Sequence, residues 1–478
     1  MNGSSLTARF LSLLLILLFV ALSAGADGNE TYLAWNGSGY TETVIPHEAA
    51  VLTAQDTSWS GWYRASGSLS ISRRVTVNGD ASLILMDSCT LTIPAGITVN
   101  SGASLTIYAQ SDSAETAGKL LVTAPSNYDA GIGGTQNHQT GTILIRGGRI
   151  ESTGKNGAAI GGASGQDGGV LEISGGTVVA VSLDGGAAIG GGINKSGGEI
   201  TILSGTVEAV GYTYSAGIGG GNNGGSGTVT IRGGTVTASG GYGAAIGSGY
   251  TAKTSGTILI QSGRVTATSS SGAAIGGGQK AAAGTIRIEN GVISAAAANG
   301  GAGIGLGDSG KDALIELSWT DASCSIHAST YRGEVTMEKG FRDEQHPETV
   351  FEAGTLSSPE VLDGLTLIPH AEPEEILLEQ LLQSIADYRL PGDLEQVGEL
   401  AFTDTTAKSI YVPDGCQSVG AGAFSGCRHL IGIRLPRDCS LPDSAFTGCD
   451  SLQFILAPAG GSTEVWAASH QILFVPET

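Results

Sequence analysis

Charge is scarce along this chain, and positive charge scarcest: 14% of the 478 residues are charged, with 23 Lys+Arg against 44 Asp+Glu. No basic stripe exists to neutralise phosphates, which excludes nucleic acid as a partner. Histidines number only seven and cysteines six. With no CxxC pair and no His cluster at ligand spacing, neither a metal nor another cofactor is expected. No Gly-x-Ser-x-Gly and no phosphate loop occurs. Long apolar runs are also missing, apart from one at the N-terminus, and helical periodicity is confined to one stretch.

Glycine is abundant instead, at 77 residues, and it is placed with a period. Ala130-Gly-Ile-Gly-Gly, Gly157-Ala-Ala-Ile-Gly-Gly, Gly186-Ala-Ala-Ile-Gly-Gly-Gly, Ala216-Gly-Ile-Gly-Gly-Gly, Gly243-Ala-Ala-Ile-Gly-Ser-Gly, Gly272-Ala-Ala-Ile-Gly-Gly-Gly and Ala302-Gly-Ile-Gly-Leu-Gly repeat one phrase. Their isoleucines, Ile132, Ile160, Ile189, Ile218, Ile246, Ile275 and Ile304, stand 28, 29, 29, 28, 29 and 29 residues apart. A constant period of this size marks a solenoid. Between the phrases run β-branched segments in register: Thr142-Ile-Leu-Ile145, Val170-Leu-Glu-Ile173, Glu199-Ile-Thr-Ile202, Thr228-Val-Thr-Ile231, Thr257-Ile-Leu-Ile260, Thr285-Ile-Arg-Ile288 and Leu314-Ile-Glu-Leu317. A further aliphatic column holds Ile150, Val178, Val207, Val236, Val265 and Ile293. Three short alternating strands per period of about 29 residues predict an all-β solenoid, a parallel β-helix with isoleucine stacked on isoleucine inside. Glycine suits its tight corners, where positive φ is cheap only without a Cβ.

The expected boundaries follow from shifts in this pattern. Residues 1–26 read as a secretory signal peptide: Arg9, an apolar run from Phe10 to Leu22, then Ala24-Gly25-Ala26. The run is shorter than the roughly 20 residues that span a bilayer. Export is therefore expected, to a secreted or cell-surface location with no stable membrane span after cleavage. Residues 27–127 read as an N-terminal cap with irregular coils, 128–317 as the regular coils and 318–370 as closing coils and cap. Residues 371–388 hold the one helical stretch, with Pro373 in the first turn and Leu377, Leu381, Ile385 and Tyr388 on one stripe, expected to cap the next array. The three thirds, 1–127, 128–317 and 318–478, carry nets of −4, −1 and −16, which sum to −21.

Residues 389–478 repeat with a shorter period: Phe402, Phe424 and Phe446 are 22 apart within Ala-Phe-(Thr/Ser), and Pro391, Pro413, Pro436 and Pro458 keep step. The units Ile410-Tyr-Val-Pro-Asp-Gly-Cys-Gln-Ser-Val-Gly-Ala-Gly-Ala-Phe-Ser-Gly-Cys-Arg-His-Leu430 and Ile433 to Leu452 closely resemble the BspA-type bacterial leucine-rich repeat. That resemblance implies a short leucine-rich repeat module whose Phe424 and Phe446 fill the core, with Ala459 to Phe474 as its terminal unit, on a secreted or surface protein of the kind implicated in adhesion. The Gly-Ala-Ala-Ile-Gly-Gly array more loosely resembles Gly-rich repeats of exported bacterial surface proteins, which implies a location and no activity. Cys427 shares a column with Cys449, and Cys416 with Cys439. Neighbouring coils place such pairs within disulfide reach, and small buried thiols fill the same positions equally well; reduced packing cysteines are the expectation.

Parallel β-helices also host polysaccharide-degrading enzymes, so a lyase or glycoside hydrolase is the alternative reading. Glu151 and Glu208 share a column two coils apart, about 9.6 Å at the usual spacing, which touches the range for paired glycosidase carboxylates. Their column otherwise holds Val179, Thr237, Thr266 and Ser294, an ordinary outward position, and no coil is disturbed as a catalytic site requires. No catalytic residue is therefore expected. Binding of an extracellular protein or glycan is expected instead. Tyr214 and Tyr242 lie on consecutive coils, four residues before the phrase isoleucine, in a column with Tyr128. Tyr411, Arg428, His429, Arg434 and Trp466 concentrate charge and aromatic surface in the shorter array. Because hot spots favour Tyr, Trp and Arg, residues 374–478 are expected to carry most of the affinity, and the tyrosine pair little.

Overall fold

The structure, a computed structural model, describes residues 30–370 except 38, 114 and 137, and residues 388–477 except 392, 393 and 406. Residues 1–26, expected as a signal peptide, and nearly all of the helical stretch expected at 371–388 lie outside the described residues; Tyr388, the last residue of that stretch, begins a strand instead. The chain forms two compact units, Met1–His370 and Ala371–Thr478.

The first unit is a parallel β-helix. Each regular coil has three strands, of which the shortest is the Ile-Gly pair of the glycine phrase, such as Ile218–Gly219. The second is the β-branched segment, such as Thr228–Ile231, and the third the longer piece typified by Thr235–Gly240. All pair in parallel with the same strand of the next coil. The phrase isoleucines stack in one ladder from Ile97 through Ile132, Ile160, Ile189, Ile218, Ile246, Ile275 and Ile304 to Tyr331. Ile218 and its neighbours Ile189 and Ile246 are wholly buried. A fully buried isoleucine stabilises by about 1.5–3 kcal/mol relative to exposure, and the ladder repeats that gain in every coil.

The glycine following each ladder isoleucine is required by geometry. Gly219 has a φ of +128°, and a Cβ there would stand 2.2 Å from the carbonyl oxygen of Gly247 in the next coil. Only glycine allows the coils to approach this closely.

The ladders start before the obvious repeats and end after them. Ile97 and Leu105 already pair with Ile132 and Ile143. Beyond Leu317, where the sequence period fades, Ser325–Ala328, Tyr331–Arg332 and Glu334–Met337 build one more parallel coil. Its glycine phrase is gone, but Ile326, Val335 and Met337 still alternate inward. The stack then closes with antiparallel strands, Gly354–Leu356 on Glu334–Met337 and Thr366–Pro369 on Ser325–Ala328. Antiparallel closure covers an edge that a bare parallel stack would leave open. At the other end, a hairpin of Thr31–Trp35 and Tyr40–Val44 precedes the coils. Tyr32 contacts Trp62 and Tyr108 through their rings, and the Tyr40 hydroxyl sits 2.8 and 2.6 Å from the carbonyl oxygens of Arg146 and Ser174.

The second unit has a five-stranded parallel sheet, Tyr388–Arg389, Ser409–Tyr411, Gly432–Arg434, Phe454–Pro458 and Leu473–Glu477. Phe402, Phe424 and Phe446 stack at 5.6 and 5.2 Å, and Trp466, on the helix Ser462–Ser469, packs on the end of that stack with its ring tilted, 5.6 Å from Phe446. All six cysteines of the chain are free thiols. Cys427 and Cys449 donate to the carbonyl oxygens of Phe402 and Phe424, each at 3.0 Å. Burial pushes the Cys439 thiol up to about 12 and the Cys449 thiol up to about 11.

Candidate functional site: a tyrosine corner on the β-helix

The corner between the third strand of one coil and the next glycine phrase is built by two columns. One stands four residues before each ladder isoleucine and holds Tyr128, Asn156, Gly185, Tyr214, Tyr242 and Ser271. The other stands four residues after and holds Ser164, Ile193, Asn222, Tyr250, Gln279 and Asp308. Backbone hydrogen bonds tie them together across coils. The Tyr250 amide donates to the Tyr214 carbonyl at 2.9 Å, and the Gln279 amide to the Tyr242 carbonyl at 2.7 Å.

This lacing brings three rings into contact. Tyr214 and Tyr242 stack with centroids 5.7 Å apart and planes 21° from parallel, and Tyr250 lies 5.5 and 5.8 Å from the two. Tyr214 and Tyr242 remain 37% and 41% exposed, and Tyr212 and Leu183 nearby in sequence and column are 53% and 55% exposed. The chain has 12 tyrosines, so a third of them fall between 212 and 250. Lys280 holds its ammonium 6.0 Å from the Tyr250 centroid.

Beside the rings runs a polar ladder. Asn194, Asn223 and Thr251, the residues following the second column, all have positive φ, at 67°, 63° and 55°. Asn tolerates this conformation better than other non-glycine residues. The Asn223 side-chain amide donates to Asn194 Oδ1 at 2.7 Å, and the Thr251 hydroxyl donates to Asn223 Oδ1. Asn222 Oδ1, one coil from Tyr250 in the same column, is sheltered from solvent and has no hydrogen-bond partner among the described residues.

The residues expected in the second unit fare differently. Arg434 is buried, at 3% exposure. Its guanidinium is committed to Glu477 at 2.7 Å, to Asp414 and to the Val412 carbonyl at 3.0 Å, and it lies 4.9 Å over the half-buried ring of Tyr411. Trp466 is half-buried between Phe446 and the ring of His470. Arg428 and His429 are exposed. Sequence spacing found Tyr214 and Tyr242 but missed Tyr250. The signal was there: Tyr250 follows Ile246 by the same four residues by which Tyr242 precedes it.

Two other places bear on chemistry. Glu151 and Glu208 do share an outward column, through Val179. The Glu151 carboxylate is paired with Arg149 at 2.6 Å. A concavity of about 320 Å³ lies where the N-terminal hairpin meets the coils, lined by Leu33, Tyr40, Asp112, Arg146, Arg149 and Thr177 among others. Burial raises the Tyr40 hydroxyl there above its ordinary value, and Arg146 is held by Glu172.

With both arrays described, comparison with known families is informative. The shorter array matches the BspA type leucine rich repeat region. Six copies of that repeat cover residues 380–464. The coils match the Beta helix repeat at residues 171–193, 200–222, 229–250 and 258–279. No curated protein and no solved structure matches the chain. A β-helix repeat region followed by BspA-type repeats makes this a repeat protein, of a kind typical of bacterial surface or secreted proteins. No helix among the described residues is long and apolar enough to cross a membrane.

Proposed function

We propose that this is an exported bacterial surface protein that acts by adhesion, and that the tyrosine corner of the β-helix is its principal contact. One observation carries the reading: two stacked, partly exposed tyrosines from consecutive coils, with a third tilted against both, at a corner where, among the described residues, no other pair of coils brings tyrosines together. Exposed Tyr clusters supply contact area at low entropic cost. The ranking drawn from sequence, with the leucine-rich module dominant, is reversed because Arg434 and Trp466 serve the interior of that module. Arg428 and His429 remain as its secondary contacts. A non-catalytic role is supported by the pairing of Glu151 with Arg149 and by coils that repeat without a local break.

The test is retention of the labelled mature chain on mucin-coated plates and on cultured epithelial cells. Retention is expected, with at least a tenfold loss in Tyr214→Ala/Tyr242→Ala and less than a threefold loss in Arg428→Ala/His429→Ala. Full retention by the double tyrosine variant would remove the corner from the reading. Release of unsaturated or reducing ends from pectin, alginate or glycosaminoglycans would replace it with the enzyme alternative.

A further inference from the structure

We infer that the ligand of the tyrosine corner is an uncharged polysaccharide, an assignment that rests on the adhesive reading above. The corner joins the two features that sugar recognition needs. A pyranose ring presents a face of C–H groups and a rim of hydroxyls. The face packs on an aromatic ring, and the rim needs donors and acceptors placed beside that ring. Tyr214 and Tyr242 supply two nearly parallel rings one coil apart, and Tyr250 a third, tilted at 43° and 54° to them. The rim is met by the ladder Asn194, Asn223 and Thr251. The Asn223 amide gives one N–H to Asn194 and keeps another for a ligand. Thr251 Oγ1, whose hydrogen goes to Asn223, keeps lone pairs that accept from a sugar hydroxyl.

Charge selects among glycans. Lys280 stands over Tyr250, and Asp308 accepts from Gln279 at 2.8 Å, so the corner itself has one charge of each sign. The chain as a whole carries −21. A polyanion would meet repulsion and no basic cluster, whereas a neutral chain meets neither. Geometry selects against a protein partner: interfaces between proteins need a broad apolar core inside a polar rim, and here the rings and the amide ladder run side by side along the coil axis. A ligand laid along that axis meets rings and amides side by side over the coils that carry Tyr214, Tyr242 and Tyr250.

The mature chain is run by affinity electrophoresis through gels containing hydroxyethyl cellulose, xylan or galactomannan, with heparin as the anionic comparison. Retardation by at least one neutral polymer is expected, unchanged by added salt. Tyr214→Ala/Tyr242→Ala should weaken it at least tenfold, Asn223→Ala several-fold, and Tyr214→Phe/Tyr242→Phe less than threefold, with thermal unfolding of each variant matching the parent. Retardation by heparin alone, or by none of the polymers, overturns the assignment. The mucin plates separate this failure from that of the adhesive reading. If the double alanine variant loses mucin while periodate cleavage of the mucin sugars leaves the parent bound and protease removes it, the ligand is a protein and only the polysaccharide assignment falls. If the double alanine variant binds mucin as the parent does, the corner leaves the adhesive reading and the polysaccharide assignment falls with it, while adhesion through another surface stands.

Discussion

Replacing Ile218 with Asp tests the ladder on which the whole shaft depends. Ile218 is fully buried, sits between Ile189 and Ile246 in the ladder, and its amide donates to the Ala245 carbonyl at 2.8 Å. Losing the aliphatic side chain removes about 1.5–3 kcal/mol of burial. The introduced carboxyl has no partner among the apolar side chains above and below it, which adds several kcal/mol. The sum is a large fraction of the 5–15 kcal/mol by which domains are ordinarily stable. Solenoid coils contact only their neighbours, so damage should stay local and appear as protease cleavage around the altered coil before global melting. The introduced carboxyl would titrate above its unfolded value near 3.9. Its folded form binds the proton more tightly, so the variant should lose further stability as pH rises from about 4 and lose least below that. Thr266→Asp is the control, since Thr266 is exposed in an outward column, and should stay within about 0.5 kcal/mol of the parent. Thermal unfolding by circular dichroism, with limited proteolysis at several pH values, reads both. Parent-like melting of Ile218→Asp beside a destabilised Thr266→Asp would mean that the inward and outward faces have been exchanged.

The thiols and the buried arginine of the second unit give two further expectations. Cys439 and Cys449 rise from an ordinary 9.0 to about 12 and about 11 through burial first and then the neighbouring thiols. Because the folded state keeps protons that the unfolded state releases, this unit should lose stability between about pH 9 and 12. Native labelling by a thiol reagent at pH 8 should be slow, complete only in denaturant; rapid native labelling would contradict the burial. Arg434→Ala removes the buried guanidinium from an ion pair whose partner Glu477 is partly exposed and should destabilise by about 1.5–3 kcal/mol, while Arg428→Ala, at an exposed position, stays within about 0.5 kcal/mol. Denaturant melts of the two variants separate a structural arginine from a surface one.

The β-helix was legible because its constraints are repeated. A parallel stack puts chemically equal residues on top of one another, so a single requirement, such as an inward isoleucine followed by a glycine without room for Cβ, is written once per coil. The same logic explains what faded. Tyr331 takes the isoleucine place in the last parallel coil, and with no glycine phrase around it the period was lost although Ile326 and Val335 still point inward. Closing strands are antiparallel and occur once, so nothing in the sequence repeats to announce them. Arg434 reads as a surface anchor in the sequence because it belongs to a short stretch that concentrates charge and aromatic residues, the types that hot spots favour. Its alternation within Gly432–Arg434 did not reveal that Glu477, 43 residues on, reaches back to neutralise it.

The tyrosine corner shows the opposite limit, in which a site depends on a link that no single coil contains. Column counting places Tyr214 above Tyr242 and sets Tyr250 opposite Tyr242 about Ile246, but spacing within a coil does not say that the two columns meet. The link is the hydrogen bond from the Tyr250 amide to the Tyr214 carbonyl, repeated along the shaft between Asn222 and Gly185 and between Gln279 and Tyr242. Six coils use that bond to close a corner, whichever side chains stand there. Three coils place tyrosine in one or both of the bonded columns, and only where two of them are consecutive, at Tyr214 and at Tyr242 with Tyr250, does the closure bring three rings together. Function on a regular solenoid is therefore to be sought where ordinary closure geometry meets an unusual choice of side chain, and not where the backbone departs from the repeat. The polar ladder follows the same rule: positive φ recurs at this turn from Asn194 to Ser309, yet Asn194, Asn223 and Thr251 are the stretch whose side chains bond one another beside the rings.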